Sequence, residues 1–175
     1  MNFVETALPG ALIIELEEIV DERGFFARSF CVEEFNARGM NPHIAQCNIS
    51  YNHRKGTLRG MHYQCAPYSE VKIVRCTKGA IYDVIVDLRR DTPSFGKWIA
   101  VELTAANRRS LYIPEGFAHG FQTLIDDTEV FYQMSQFYQP QAAKGFRWND
   151  SYFGIAWPDH EKILSAKDRS FPDFR

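Results

Sequence analysis

The sequence has no long apolar run, and none of its stretches approaches the roughly 18 apolar residues that a membrane-spanning helix needs. Its first ten residues, MNFVETALPG, lack the basic start and apolar run of a secretory signal peptide. The cysteines, at positions 31, 47, 65 and 76, form no C-x-x-C pair. We therefore expect no membrane partner, a cytoplasmic location and reduced thiols.

Neither sign of charge is in marked excess, since 20 Lys and Arg face 22 Asp and Glu and the formal net charge is −2. A protein that holds nucleic acid through bulk positive charge needs a clear surplus of basic residues. Hydrophobic residues make up 45% of the 175 positions, which is ordinary for a globular protein with a sizeable core. We therefore expect one domain over residues 1–175 and no nucleic-acid partner.

Several motifs of nucleotide-binding and hydrolytic enzymes are missing as well. There is no G-x-G-x-x-G and no G-x-x-x-x-G-K-[ST], so neither a Rossmann nor a P-loop phosphate site is indicated. No G-x-S-x-G nucleophile elbow occurs. Any phosphate would have to be bound by arginines, and four of these lie on or beside predicted strands: Arg23, Arg28, Arg59 and Arg75.

What the sequence does contain is a series of short runs rich in Val, Ile, Phe and Tyr, separated by turn residues about every ten positions. This spacing predicts an all-β sandwich or barrel. Lys78-Gly79 and Pro114-Glu115-Gly116 are turn sequences between strong strands. The predicted strands are Ala11–Glu17, Gly24–Phe30, Ile44–Tyr51, Thr57–Gln64, Val71–Thr77, Ala80–Leu88, Trp98–Leu103, Ser110–Ile113, Gly116–Leu124 and Glu129–Ser135.

Helical signals are few. Val32–Arg38 is predicted to be a helix that ends at Gly39. From Tyr138 onward the pattern is mixed, and we expect a tail of short turns or helices packed against the barrel.

Two polar residues interrupt strongly apolar strands. Asp83 lies well inside its strand, on the face that also carries Ile85 and Asp87, so this face meets either water or a polar cavity. Asp87 is explained by the end of the strand, which makes Asp83 the better site candidate. His119 lies between Phe117 and Phe121 on one face, as a satisfied core histidine would. However, the spacing of IPEGFAHGF resembles the second half of the cupin signature, in which this histidine points into the barrel.

The segment Gly56–Gln64 holds a second histidine. Strict alternation places His62 and Gln64 on one face and turns Arg59 away, unless Gly60 marks a bulge that redirects the arginine. A metal-binding cupin shows H-x-H and a Glu, whereas this stretch reads His62-Tyr63-Gln64. Two histidines alone would not supply the three protein ligands that a catalytic metal normally takes, so we predict no metal.

Without a metal, these residue types suit acid–base chemistry. Imidazole takes up protons near neutral pH and works best beside a carboxylate, for which Asp83 and Asp168 are candidates. A lysine can stabilise an oxyanion and a tyrosine can return a proton. Spacing alone does not show that these groups meet.

Taken together, ten segments resemble the dTDP-4-dehydrorhamnose 3,5-epimerase family, in family order and spacing, from about residue 5 to residue 170. A lone LRG or PEG would be a weak match, whereas this ordered set is specific. The segments are DERGFFARSF (21–30), QCN (46–48), KGTLRGMHYQ (55–64), KIVRCTKGAIYDVIVDLR (72–89), SFGKW (94–98), LYIPEGFAHGFQTL (111–124), EVFYQMSQFY (129–138), WND (148–150), GIAWP (154–158) and LSAKDR (164–169).

The resemblance implies a cupin-type jelly-roll barrel, a homodimer with strands exchanged between subunits, and epimerisation of a nucleoside-diphosphate 4-keto-6-deoxyhexose at C3, C5 or both. It implies no cofactor, because the ketone already activates the neighbouring C–H bonds. The implied catalytic residues are His62 as base, Asp168 as its orienting carboxylate, Tyr132 as acid and Lys72 near the ketone. The implied substrate-binding residues are Arg23, Phe26, Gln46, Asn48, Arg59, Asp83, His119 and Tyr138.

Two departures leave the nucleobase open, since Arg28 and Cys47 stand where the family commonly has Glu and Asp. Other functions also remain open within the resemblance: inversion at C3 only or C5 only, or a shift of the keto group, on another dTDP- or CDP-linked sugar. A metal-dependent cupin enzyme and a sugar-nucleotide-binding cupin without activity are the alternatives from other classes.

Overall fold

The computed structural model describes residues 1–158 and 161–174, and its regular structure is mainly antiparallel strands with two short helices. The strands are β1 (Asn2–Glu5), β2 (Leu12–Glu15), β3 (Ile19–Asp21), β4 (Gly24–Phe26), β5 (Gln46–Asn52), β6 (Leu58–Gln64), β7 (Lys72–Lys78), β8 (Ala80–Asp87), β9 (Trp98–Thr104), β10 (Ser110–Ile113), β11 (Phe117–Thr123), β12 (Thr128–Met134) and β13 (Ala143–Gly145). The helices are α1 (Val32–Asn36) and α2 (Ala166–Ser170).

Two sheets face each other. One has six strands in the order β1-β2-β10-β7-β12-β5, and the other has five in the order β13-β6-β11-β8-β9. Strands β3 and β4 form a separate hairpin. This arrangement is the jelly-roll barrel that the resemblance implies, and the prediction of an all-β fold is confirmed. Each of the ten predicted strands overlaps an observed one, whereas β1, β3 and β13 were not predicted, and α2 lies in the tail for which short turns or helices were expected.

The space between the sheets is filled by alternate residues of their strands, as in other small barrels. Strand β8 shows the pattern, because Ile81 and Ile85 point into the interior core and Val84 and Val86 point to the opposite face. The interior core also takes side chains from β7, β9, β10, β11 and β12: Val74, Cys76, Leu103, Leu111, Phe117, Phe121 and Val130.

Each sheet is also covered on its outer face. Phe35 of α1 is fully buried against the six-stranded sheet, in a cluster with Ile14, Ile73 and Tyr112. The C-terminal segment covers the five-stranded sheet through Phe146 and other aromatic residues. The expected tail of short turns and helices packed against the barrel is therefore confirmed. It brings α2 against β6.

A bulge in β6 decides which side chains enter the barrel. His119 and Phe121 of β11 are two residues apart, yet they pair with His62 and Arg59, which are three apart. Gly60 takes φ of 138° at this point, and a Cβ there would lie 2.6 Å from the Cα of Gly120. The extra residue puts Arg59 and His62 on the same, inward face, so the bulge considered from the sequence is present.

The β3–β4 hairpin stands apart from both sheets. Its apolar side chains are exposed, with 73% of Val20 and 71% of Phe26 accessible. Over residues 1–158 and 161–174, none of the helices has the length and apolar character needed to cross a membrane.

Candidate active site

A polar cavity of about 430 Å³ lies between the two sheets. A second cavity of about 220 Å³ adjoins it and shares His62, Lys72, Tyr132 and Lys167 with it. The six-stranded sheet contributes Lys72 and Tyr132, and the five-stranded sheet contributes His62. The two cavities therefore meet where side chains from opposite walls face each other.

His62 is held by a carboxylate from the far end of the chain. Its Nε2 lies 2.7 Å from Oδ1 of Asp168. Asp168 is in the first turn of α2, where its backbone N–H donates to the side chain of Ser165, the residue that caps the helix. The ring of Phe171 packs edge-on against the imidazole, with centroids 5.6 Å apart. The C-terminal segment thus fixes both the direction and the tilt of the His62 ring.

The electrostatics of this pair define the proton positions. Burial by itself raises the pKa of Asp168, but the hydrogen bond and charge of His62, together with hydrogen bonds from Ser165 and the backbone of Gly60, outweigh burial and hold this pKa below its usual value. The carboxylate is therefore ionised at neutral pH and can only accept, so Nε2 of His62 carries the hydrogen. The other ring nitrogen, Nδ1, is left with the lone pair that can take a proton.

A second pair of the same kind lies next to the first. His119 is opposite His62 in the β6–β11 register, and its Nε2 lies 2.7 Å from Oδ1 of Asp83. Asp83 is fully buried in the middle of β8, and its Oδ2 has no hydrogen-bond partner among the described residues. Directly opposed residues on antiparallel strands have Cβ atoms about 4.5–5.5 Å apart, so the two imidazoles share one wall of the cavity.

Tyr132 stands on the opposite wall. Burial is the main cause that raises the pKa of its phenol, with Glu70 adding to the rise and Arg59 opposing it. The phenol is therefore protonated at neutral pH and can donate a proton into the cavity. Lys72, on the neighbouring strand β7, forms an ion pair of 3.0 Å with Glu70.

Other polar side chains, on both walls of the cavities, are also held in place by hydrogen bonds. Arg59 donates from Nε to the side-chain oxygen of Asn52 at 2.8 Å. Gln46 accepts a hydrogen bond of 3.0 Å from the backbone N–H of Tyr138. Among residues 1–158 and 161–174, no three His, Cys, Asp or Glu side chains come together as a metal site would require. The arrangement offers a base on one wall, an acid on the other and a cation beside them.

Known proteins resemble this chain in both sequence and structure. The model of the family described as dTDP-4-dehydrorhamnose 3,5-epimerase matches residues 5–175. The chain belongs to this family.

A curated dTDP-4-dehydrorhamnose 3,5-epimerase from Shigella flexneri is 46% identical over 169 residues, which are 96% of this chain and 93% of that protein. The crystal structure of a Bacillus anthracis dTDP-4-dehydrorhamnose 3,5-epimerase with TDP and PPi bound has a TM-score of 0.95 at 40% identity, covering 99% of both chains. A 3'-monoepimerase from Streptomyces bikiniensis in complex with dTDP-quinovose has a TM-score of 0.88 at 35% identity, covering 96% of this chain and 85% of that one.

Most of the residues implied by the resemblance to the epimerase family meet in the two cavities. The lining includes His62, Tyr132, Asp168, Lys72, Gln46, Asn48, Arg59, His119 and Tyr138. Asp83 lies behind His119 rather than at the surface of the cavity. Arg23 and Phe26 lie on the β3–β4 hairpin, outside the cavities of their own chain. Arg28 is also outside and pairs with Glu34 of α1.

The cavities are also lined by polar residues that were not predicted from the sequence, and three of these lie close to the predicted pairs. Ser165 and Lys167 line the larger cavity, and Glu70 lines the smaller one. A serine three residues before Asp168 is a helix-capping signal that could have been recognised. Glu70 is two residues before Lys72, so alternation would place both side chains on the same face. However, Glu70 precedes the strand and belongs to no recognised motif.

Proposed function

We propose that this chain epimerises a nucleoside-diphosphate 4-keto-6-deoxyhexose at C3, C5 or both, without a cofactor. The observation that carries the proposal is the His62–Asp168 pair on one wall of the cavity and the protonated phenol of Tyr132 on the other. Inversion at carbon requires a proton to leave one face of the sugar and another to arrive at the opposite face, and a base and an acid on opposing walls suit this requirement.

The reaction follows from the acidity of a C–H bond next to a ketone. Nδ1 of His62 takes the proton from C3 or C5, and the electron pair moves to the ketone oxygen as an enolate. Asp168 stabilises the imidazolium through Nε2. Tyr132 then delivers a proton to the opposite face, and solvent restores the phenol and the neutral imidazole. Each positioned acid or base contributes ~10²–10⁴-fold to such a step.

Lys72 supplies the positive charge that an enolate needs. Its ammonium group lines both cavities together with His62 and Tyr132, so it can face the oxygen of a sugar held between them. A preorganised donor to an oxyanion contributes roughly 3–4 kcal/mol. Arg59 lies on β6, in the wall that carries His62, and lines the larger cavity, where its guanidinium group suits a negative group such as the diphosphate.

The nucleotide itself would occupy the smaller cavity. Gln46, Asn48 and Tyr138 line it, and the ring of Tyr138 is more than half exposed, as a stacking surface for a base would be. Related proteins bind TDP or dTDP-quinovose, which supports a dTDP-linked substrate. CDP-linked sugars remain the alternative, since Arg28 and Cys47 depart from the family pattern.

The proposal includes a homodimer in which hairpins are exchanged. The β3–β4 hairpin exposes Ile19, Val20 and Phe26, an apolar surface that a monomer rarely leaves uncovered. Strand β5 is an edge strand of the six-stranded sheet, and its Ile49 is 64% exposed. A hairpin from a second copy, added beside β5, would cover both surfaces and bring Arg23 and Phe26 of the partner subunit to the cavity.

The reaction is tested by incubating the purified protein with dTDP- and CDP-linked 4-keto-6-deoxyglucose in D2O and following the sugar by NMR. We expect deuterium at C3, C5 or both, with inverted product, for one nucleotide in preference to the other. Binding without deuterium uptake would instead indicate a sugar-nucleotide-binding protein. Stoichiometric iron, manganese or zinc required for turnover would indicate the metal-dependent alternative. The cytoplasmic location stays a prediction.

The exchange of hairpins is tested by complementation. Chains carrying Arg23→Ala and His62→Ala are co-expressed with two different tags, and the heterodimer is purified. One of its two sites then holds both native residues, so we expect about half of the wild-type activity per dimer, although each mutant homodimer is nearly inactive. An inactive heterodimer, or a monomer in solution, would contradict the exchange.

A further inference from the structure

Glu70 is a carboxylate in the cavity wall to which no role has so far been given. Its Oε1 lies 3.0 Å from Nζ of Lys72, and its Oε2 accepts a hydrogen bond of 3.2 Å from Nε2 of Gln64. The side chains of Glu70 and Lys72 are only 9% and 13% exposed. Each carboxylate oxygen of this nearly buried side chain therefore has a polar partner.

The anchor on the other side of Glu70 is rigid. Gln64 ends β6, and its amide nitrogen, which has two hydrogens, also lies 3.0 Å from the backbone carbonyl of Tyr68 and 3.3 Å from that of Phe137, while its amide oxygen accepts from the backbone N–H of Gln139. Lys72, in contrast, begins β7 in the opposite sheet. Glu70 thus connects a fixed group of one wall to the ammonium group of the other.

Among the described residues, the other charged groups around Lys72 do not pair with its ammonium group. The larger cavity brings further titratable groups to the same space: Tyr51, Arg59, His62, His119, Tyr132, Lys167 and Asp168. The acid in this set, Asp168, is bound to His62, and the arginine and Lys167 repel an ammonium group. Of the ion pairs formed by the described residues, the pair with Glu70 is the one that involves Lys72.

We propose that Glu70 is a positioning residue, which holds the side chain of Lys72 in place with its ammonium group directed at the ketone oxygen of the sugar. This role rests on the proposed function, because it concerns the enolate that forms in that reaction. Lysine is a compact charge on a flexible stem, and a preorganised charge stabilises an oxyanion without reorganisation during the reaction. The carboxylate of Glu70 supplies that preorganisation through its ion pair with Lys72.

The test is a pair of substitutions measured by epimerisation kinetics. Glu70→Gln keeps the shape and an acceptor for Gln64 but removes the charge. We expect kcat to fall about 10–100-fold with KM changed less than about threefold, because the enolate is stabilised less while the bound sugar is held by other groups. Glu70→Asp keeps the charge and should retain more kcat than Glu70→Gln. Glu102→Gln, which removes an exposed carboxylate from β9, is the matched control and should leave both constants unchanged.

A double-mutant cycle separates positioning from a general structural effect. In a Lys72→Met background, Glu70→Gln should change kcat less than about twofold, since its effect acts only through the lysine. An equal loss in both backgrounds, or a wild-type kcat in Glu70→Gln alone, would overturn the proposal. Failure of the proposed function is recognised separately, because the wild-type protein would then show no deuterium uptake at all.

Discussion

The two histidine–carboxylate pairs of the barrel have the same bond and different surroundings. In each pair Nε2 lies 2.7 Å from a carboxylate oxygen, and His62 and His119 are opposite each other on neighbouring strands. The side chain of His62 is 40% exposed, whereas that of His119 is 11% exposed. Asp168 comes from a capped helix at the end of the chain, and Asp83 comes from the middle of a buried strand.

This difference shows that a hydrogen-bonded imidazole is not by itself a base for a substrate. His62 reaches open space in both cavities and has its orientation set by groups outside the sheet. His119 lines only the larger cavity and is held from behind by a residue of its own sheet. We therefore propose that the exposed pair transfers the proton and that the buried pair binds the substrate.

The largest expected effect separates the two histidines directly. We expect His62→Ala to lower kcat by about 10³–10⁴-fold and to abolish deuterium uptake, because the base is lost. His119→Ala should lower kcat by only about 10-fold and raise KM. Steady-state kinetics and NMR in D2O measure both, with circular dichroism as the check on folding. Equal losses of kcat in the two variants would remove the distinction between the pairs.

A smaller loss of activity is expected when Tyr132, on the wall opposite both histidine–carboxylate pairs, is changed. Tyr132→Phe removes the acid but leaves His62 and Asp168 in place. Inversion should slow by about 10²–10³-fold, while proton abstraction, seen as deuterium uptake into recovered substrate, continues. If deuterium uptake and inversion fell together to the same extent, the phenol would instead be needed for abstraction.

Next in size is the comparison of the two carboxylates. Asp168→Asn should lower kcat by about 10–100-fold, because an amide cannot balance the charge of the imidazolium that forms on His62. Asp83→Asn should cost less than about fivefold in kcat, since His119 takes no proton from the sugar in the proposed reaction. The reverse order of losses would transfer the role of base to the buried pair.

The smallest effect concerns stability and pH. The pKa of Asp168 is lowered in the folded chain, so its ionised form stabilises the fold above the ordinary value near ~3.9, and this contribution is lost as the pH falls through the lowered value. At pH 7 we expect Asp168→Asn to lower Tm by about 2–4 °C, or ~1 kcal/mol. By pH 3 the difference from wild type should shrink. Asp91→Asn, at an exposed site, is the control without such a trend.

The strands could be predicted because their signal is local. Runs of β-branched and aromatic residues between turn residues predict β8 and β11, and Gly79 takes the positive φ of a tight turn between β7 and β8. The hairpin strand β3 and the three-residue β13 were missed because they are short and lack a buried apolar face. The expected helix at Val32 is present but ends at Asn36, two residues earlier than predicted.

The residue types of the site could likewise be read from the sequence, but residue spacing could not show that they meet, and only the family resemblance implied it. Asp83 and Asp87 look alike in β8, and only their contacts differ: Asp83 binds His119, whereas Asp87 binds Arg89 and Ser94 at the strand end. The direction of Arg59 depends on a bulge whose need for Gly60 comes from a neighbouring strand. The alternation of inward and outward side chains is a pattern within one strand. It therefore cannot show where contact with a neighbouring strand will require a bulge.

By itself the sequence determined an all-β chain of this family, with imidazole, phenol, ammonium and carboxylate groups available for proton transfer. The tertiary structure alone decided that Asp168 reaches His62 across 106 residues, that Glu70 connects the two walls, and that the β3–β4 hairpin is left uncovered. The physical reason is the range of the interactions. Strand formation depends on neighbouring residues, whereas these contacts depend on how the two sheets and the C-terminal segment pack together.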